Sequence, residues 1–414
     1  MISTMDRRCA GGIELAYMGV HEIFQMAIAA EEMDRLSGLQ CSIFDAPGKW
    51  GRIFSRVAYL PSAFPLGSAA LPPEKVHELP LPLLARQLMQ KVFKRRRIDP
   101  LPYLCAFERK AAQRLRESNS RIAVAAETCA LHYFRAAKER GMSCVLDSHG
   151  IPAPFMDVIL RQAADSMGLP APSPCDSAAM MEHKEREREL ADVILFCSEL
   201  QKIHWVDLGA PAEKCQAIPL WVDTDFWKPL PRNRAKDQPL QIAAVGCGSL
   251  AKGLPYLLGA VAEMTGVVSL SLVGKVDAGM EPLVRRCRVQ PLLLPYMSRP
   301  QLRDFLNSQD VLVMPSLGDS FGLVAMEAMA CGLPVIVTTH CGLPVPDPAW
   351  RVPALDSRSI AERLTWYSED RERVEKDGLV ASTFAAGFSP QRYRDQIKEV
   401  YGTLLEKSPQ VIQL

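Results

Sequence analysis

The chain has 414 residues, too many for one ordinary domain, and predicts two. Its 48% apolar and 23% charged content is that of a globular protein, and a net charge of +1 argues against a dedicated nucleic-acid binder. Twelve scattered cysteines form no Cys-x-x-Cys pair and no His/Cys zinc spacing, which suits free thiols in a reducing cytosol and implies no metal. Residues 1–12 lack a signal-peptide core, and no run reaches the about 18 apolar residues of a spanning helix. A cytoplasmic protein is expected, at most peripheral at the inner face of a membrane.

Residues 13–19 (IELAYMG) predict the first strand, followed by a helix over 20–38 and a second strand over 40–46, where Pro47-Gly48 turns the chain. The proline- and leucine-rich stretch 60–83 predicts a loop or short helices. Residues 86–121 are strongly basic, with Lys91, Lys94 to Arg97, Arg109, Lys110, Arg114, Arg116 and Arg121 interleaved with apolar residues. This pattern fits either contact with an anionic membrane surface or a solvated helix face. Next come a buried strand over 122–126, a helix over 127–140, and a strand over 143–147 that ends at Ser148-His149-Gly150. A charged helix over 181–190, a strand over 192–197 and a helix opening at Ser198 follow. Strands alternating with helices predict a parallel, doubly wound α/β sheet. The polar, proline-bounded stretch 229–239 reads as a linker. A second α/β series starts at Leu240 and continues through 267–274, 291–294 and 310–315, and a helix over 389–406 carries Pro390 at its start.

The densest chemistry lies in 315–334, PSLGDSFGLVAMEAMACGLP. A strand runs into a Pro-Ser turn, a small-residue loop, and a helix-forming run stopped by Gly332-Leu333-Pro334. Open α/β sheets place ligands in such a loop, beyond the carboxyl end of a strand. The N–H groups of Phe321, Gly322 and Leu323 lie near a helix start, where free donors favour an anion. Glu327, one turn further on, cannot bind a phosphate but can accept two hydrogen bonds from a vicinal diol such as a ribose. Amides for phosphate and carboxylates for hydroxyls describe a nucleotide-sugar site.

These residues resemble the donor-site signature of the retaining glycosyltransferases of family 4, also called group 1. Pro315-Ser316, Asp319-x7-Glu327, Phe321-Gly322-Leu323 and Glu327-Ala328-Met329-Ala330-Cys331-Gly332-Leu333-Pro334-Val335 match without a gap, except that Asp319 stands where the family has Glu. The resemblance extends over Glu189 to Phe226 and to the closing Phe388-Ser389-Pro390-x-x-Tyr393, and is weak before about residue 182. It implies the GT-B architecture, two Rossmann-like domains facing a cleft. On that reading 1–230 bind the acceptor, 231–388 bind the donor, and 389–414 return to the first domain. The implied reaction moves a sugar from a nucleotide-sugar co-substrate, such as a UDP- or GDP-sugar, to a glycan or lipid-linked acceptor with retention. No further cofactor is implied.

Gly246-Cys247-Gly248-Ser249-Leu250-Ala251-Lys252-Gly253 matches the family's glycine-rich phosphate loop. Lys252 is the candidate that stabilises the leaving diphosphate, while Gly246, Cys247 and Gly248 allow its close approach. Donor contacts are assigned to Asp319 and Ser320 through Leu323, with Asp319 on the sugar and Glu327 on the ribose. The family's loop arginine is missing, its two usual positions being Cys247 and Ala251. Loss of one charged hydrogen bond there costs about 1.5–3 kcal/mol, and Arg299, Lys275 or a residue from the first domain are candidate substitutes. On the acceptor side Gly19, His21 and His149 follow strands, and either histidine can bond a sugar hydroxyl or serve as an ordinary hydrogen-bonded residue. No carboxylate stands out as a general base. Three alternatives stay open: a sugar-nucleotide epimerase, a phosphorylase, and a degenerate glycosyltransferase acting as a binding module or scaffold.

Overall fold

The computed structural model describes residues 11–19, 23–46, 48–49, 68–93, 98–231 and 238–406. The chain forms two all-parallel sheets. The first has seven strands in the order β3-β2-β1-β4-β5-β6-β7: β1 (Gly12–Tyr17), β2 (Leu36–Cys41), β3 (Val76–Glu78), β4 (Ser120–Ala126), β5 (Ser143–Ser148), β6 (Val193–Phe196) and β7 (Cys215–Ala217). The second has six in the order β10-β9-β8-β11-β12-β13: β8 (Leu240–Val245), β9 (Val268–Val273), β10 (Leu292–Leu294), β11 (Val311–Met314), β12 (Val335–Thr338) and β13 (Arg351–Val352). Both are doubly wound, as expected. The central strands are almost wholly apolar because helices cover both faces.

The last helix, Pro390–Glu406, packs on the first, Ile23–Glu32. Arg394 bonds Glu32 and Gln25, Lys398 pairs with Glu32, and the Tyr401 hydroxyl donates to Met26 O. The carboxyl-terminal helix therefore crosses back to the first sheet.

Some expected elements shift. The helix predicted over 20–38 ends at Glu32 and the second strand starts at Leu36, not Gln40. Asp34 adopts φ +55° and Arg35 N donates to Ala30 O, a left-handed terminator that the apolar periodicity did not show. The helix predicted from Glu127 starts at Leu131. Thr128 is left-handed at φ +75°, and the Thr128 and Ala130 amides bind the Glu187 carboxylate instead of continuing a helix. Helices Ala153–Ser166, Arg299–Asn307, Ser357–Glu369 and Arg371–Ala385 were not anticipated. His21 and part of the linker and of the basic segment lie outside the described residues.

A buried charged cluster braces the first domain. His183 Nε2 lies 2.8 Å from Glu108 Oε1 and 3.2 Å from Glu187 Oε1. The other oxygens bind backbone: Glu108 Oε2 accepts from His132 N, and Glu187 Oε2 from Thr128 N. Burial pulls the His183 pKa down, but hydrogen bonds and charge from the two glutamates outweigh it and push it up to about 9. Nothing in the sequence announces this cluster, because Glu108 lies on the helix Leu101–Leu115 and reaches His183 and Glu187, one turn apart on Ala178–Leu190, only through the fold.

Candidate functional site

The loop 246–253 and the loop 315–322 are joined by backbone. Leu317 N donates to Ala251 O, and Gly253 at φ +72° lets its backbone press against Pro315, where a Cβ would lie 1.9 Å from Pro315 O. This contact brings Lys252 to Asp319. Lys252 Nζ stands 2.6 Å from Asp319 Oδ2, while Asp319 Oδ1 accepts from Phe321 N at 3.2 Å. Asp319 is fixed further by its N donating to His340 O and its O accepting from Gly342 N. Burial lowers the Lys252 pKa, but the Asp319 charge and hydrogen bond outweigh it and raise it, so the ammonium is held charged.

Gly322, at φ +87°, opens the helix Leu323–Ala330, and a Cβ there would stand 2.6 Å from Met314 Cε. The positive φ is what calls for glycine at this turn, since the Met314 methyl could move aside. Glu327 is the fifth residue of that helix and is half-buried. Its carboxylate has no hydrogen-bond partner among the described residues. Burial pushes its pKa up to about 7, opposed by the charge of Arg299.

A cavity of about 290 Å³ lies where the two sheets face each other. The second domain lines it with Gly246, Lys252 and Asp319 through Val324, and the first with His149, Cys197 and Leu220. His149 Nε2 stands 3.3 Å from the buried Asp147 Oδ2. Among the described residues lining this cavity, Lys252 is the one lysine or arginine.

Most of the residues singled out from sequence thus converge, and some do not. The Cys247 side chain is buried in the second core. Gly248 is required by its own fold, since a Cβ would lie 2.0 Å from Lys275 O. Gly19 does not line the cavity, and Glu327 lies one turn behind its wall. Neither Arg299 nor Lys275, named as substitutes for the missing arginine, lines it either. Arg299 stacks its guanidinium 4.7 Å from the Phe226 ring centre and acts on Glu327.

Sequence reasoning missed how the domains meet. Ser198 caps the helix Glu199–Asp207 and also donates to Ser320 O at 2.6 Å, inside the loop that precedes Leu323–Ala330. A Cβ on Gly342 would lie 2.2 Å from Ser198 Oγ, and one on Gly318 would lie 2.2 Å from Met156 Sδ. The glycines of the second domain are thus sockets for the first.

Residues 241–370 match the family of glycosyl transferases group 1. The chain is 28% identical over 215 residues to the putative colanic acid biosynthesis glycosyltransferase WcaL of Escherichia coli, covering 45% of this chain and 53% of that one. It is 33% identical over 171 residues to a D-inositol 3-phosphate glycosyltransferase of Mycolicibacterium smegmatis, covering 37% of this chain and 39% of that one. It therefore spans about half or less of the length of these relatives. Among solved structures, Anabaena HepE in complex with UDP superposes with a TM-score of 0.66 at 16% identity, over 95% of this chain and 100% of that one. Sucrose-phosphate synthase from Thermosynechococcus elongatus gives 0.66 at 18% identity, over 96% and 100%. Residues 241–370 form a glycosyl transferases group 1 domain, set in a chain with the two-sheet fold of the GT-B glycosyltransferases.

Proposed function

We propose that this chain is a retaining glycosyltransferase that moves a sugar from a nucleotide-sugar to a glycan or lipid-linked acceptor. The observation that carries the reading is the cavity between the sheets, where Gly246, Lys252 and the Asp319–Leu323 loop meet His149 of the other domain. Residues 1–230 hold the acceptor, 231–388 hold the donor, and 389–414 tie the two together. Glu327 takes the ribose hydroxyls and Asp319 the donor sugar. The Phe321 to Leu323 amides and Lys252 take the diphosphate, whose charge grows as the glycosidic bond breaks. An ammonium has three donors; Asp319 occupies one, leaving two for phosphate oxygens. The leaving phosphate oxygen accepts the acceptor proton on the same face of the sugar, and His149 orients an acceptor hydroxyl.

A thermal-shift panel with UDP, GDP, ADP, CMP and their sugar conjugates tests the donor. HepE is known in complex with UDP, which makes UDP the first choice. A ligand at about 100 times its dissociation constant stabilises by about 2.7 kcal/mol, and Glu327→Ala should abolish the shift. The shift should also depend on pH. The Glu327 pKa in the ligand-free protein is about 7, and the ionised form is the better acceptor for a diol, so affinity should fall as pH drops through 7. Glu327→Gln should flatten that dependence. A well-folded protein that no nucleotide stabilises would favour the degenerate binding module.

A second reading concerns membranes, and the helix Pro80–Val92 favours it. Leu81, Leu88 and Val92 recur at one-face spacing and stand 67%, 62% and 63% exposed. Lys91 and the run Lys94 to Arg97 flank this stripe in sequence. Among the described residues no helix is long and apolar enough to cross a membrane. A surface contact is therefore proposed, with cations adding about 1 kcal/mol each at an anionic leaflet. In a vesicle co-sedimentation assay the chain should pellet with phosphatidylglycerol vesicles and not with phosphatidylcholine. Leu88→Asp with Val92→Asp should weaken binding at least tenfold; unchanged pelleting would assign the stripe another role.

A further inference from the structure

The first sheet has one face that changes character along its width. Ile13, Leu15, Leu39, Cys41 and Val76 point into the core beneath Ile23–Glu32, so Glu14, Gln40 and His77 point to the other face by strand alternation. Over β4 that other face is filled by Ala123 and Ala125 against the helix Leu101–Leu115. Over β1 to β3 it carries Ala16 at the carboxyl end of β1, in the same apolar cluster, and beside it a polar patch. Glu14 is 4% exposed and Gln40 is 0% exposed, and Gln40 Nε2 donates to Glu14 Oε2 at 2.7 Å. Gln40 Oε1 has no hydrogen-bond partner among the described residues, and neither has the buried hydroxyl of Tyr133, which feels the Glu14 charge.

This polar floor is shaped by small residues. A Cβ on Gly38 would lie 2.7 Å from Glu14 Oε2, and one on Gly12 would lie 2.0 Å from Ser37 Oγ. Two hollows of about 1040 and 560 Å³ lie above it, separated by Arg114 and Glu117, which line both. Glu14 lines the first, and Gln40 the second with Lys110. Gly12 and Ser37 sit at the amino ends of their strands, whereas His149 and Gly246 of the interdomain cavity follow carboxyl ends, and no residue lines both places.

A carboxylate and an orphaned amide oxygen on a sheet face that alanine fills next door weaken the fold, since a buried acceptor without a donor costs about 1–3 kcal/mol. Burial pushes the Glu14 carboxyl up, against Gln40, Ser118 and Arg114. The floor therefore calls for donors, the rim offers donors from Arg114 and Lys110, and charges of both signs line the hollows. We propose that this groove is a second ligand site that takes a neutral saccharide, whose hydroxyls donate to Gln40 Oε1 and Glu14 and accept from Arg114 and Lys110. The site stands apart from the cleft and does not rest on the donor assignment.

Saturation-transfer difference NMR on the full chain tests it, with the methyl glycosides of glucose, galactose, mannose and N-acetylglucosamine and with maltose and lactose as probes. At least one should give a signal that falls at least fivefold in Arg114→Ala and in Gln40→Met, and that persists in Glu327→Ala and His149→Ala. Arg114 is exposed, so Arg114→Ala should keep the wild-type melting temperature; Gln40→Met matches in volume but removes the donor to Glu14, so its melting temperature should fall, and circular dichroism confirms that it is folded at the temperature of the NMR experiment. No signal from any probe overturns the proposal, as does a signal lost in the cleft variants or untouched by the groove variants. Failure of the nucleotide panel would leave this result standing, and the reverse holds too.

Discussion

Lys252→Ala should lower kcat about 10²–10³-fold, the usual effect of removing a preorganised donor aimed at developing charge. On the proposed donor assignment the loss should appear in kcat more than in KM, because the diphosphate carries its full charge only as the sugar departs. Two features make the expected effect large. Lys252 is the one lysine or arginine among the described residues lining the interdomain cavity, so nothing adjacent takes over its charge. The two positions where the resembled family carries its loop arginine hold Cys247, buried in the second core, and Ala251, packed against it. A stability change should accompany the loss, since Asp319 has a side chain only 15% exposed and would keep one backbone donor, Phe321 N. Asp319→Asn added to Lys252→Ala should recover the melting temperature and leave activity low. Equal kcat in wild type and Lys252→Ala would remove the lysine from the reaction and make its pairing with Asp319 structural.

How far the site could be read from the chain depends on range. The two glycine-bearing loops of the cavity were legible because their glycines and flanking residues are contiguous: Gly253 is demanded by positive φ and by close backbone approach, and Gly322 by positive φ. Strands alternating with helices likewise disclosed the centre of both sheets, but not the edge strand β3, which lies in the stretch 60–83 expected as a loop or short helices, nor the two-residue β13. Contacts between distant segments were not legible. Ser198 reads as a helix cap, which it is, and nothing near it announces a hydrogen bond to Ser320, 122 residues away. Arg299 could be named as a spare cation, but only the packing of Arg299–Asn307 beside Leu323–Ala330 assigns it to Glu327 rather than to Lys252. Helix ends failed where a single left-handed residue, Asp34 or Thr128, overrode an apolar pattern that ran on past it. Glu14 and Gln40 were invisible as a pair because each sits inside a strand that otherwise reads as buried.

The cluster of Glu108, His183 and Glu187 should dominate stability at alkaline pH. The His183 pKa is about 9 in the folded protein against an ordinary 6.5. A group raised in the folded state contributes fully below its unfolded pKa and loses that contribution as pH rises through the folded one. Stability should therefore fall by about 3 kcal/mol between pH 6.5 and pH 9 from this group. His183→Ala should destabilise at neutral pH by about 3–5 kcal/mol, because it leaves two buried carboxylates facing each other without a cation. His183→Gln should cost less, since an amide still donates to a glutamate, and its stability should no longer fall over that alkaline window. Urea unfolding of the three proteins at pH 6, 7.5 and 9 separates these expectations; an alkaline slope retained in His183→Gln would mean that the imidazole is neutral in the fold. The consequence for function runs through Glu187, whose oxygens hold the Thr128 and Ala130 amides of the loop after β4. Glu127 at the start of that loop donates its N–H to Asp147 O, and Asp147 Oδ2 stands beside His149 on the cavity wall. On the proposed acceptor role of His149, loosening the cluster should therefore raise KM for the acceptor before it unfolds the domain.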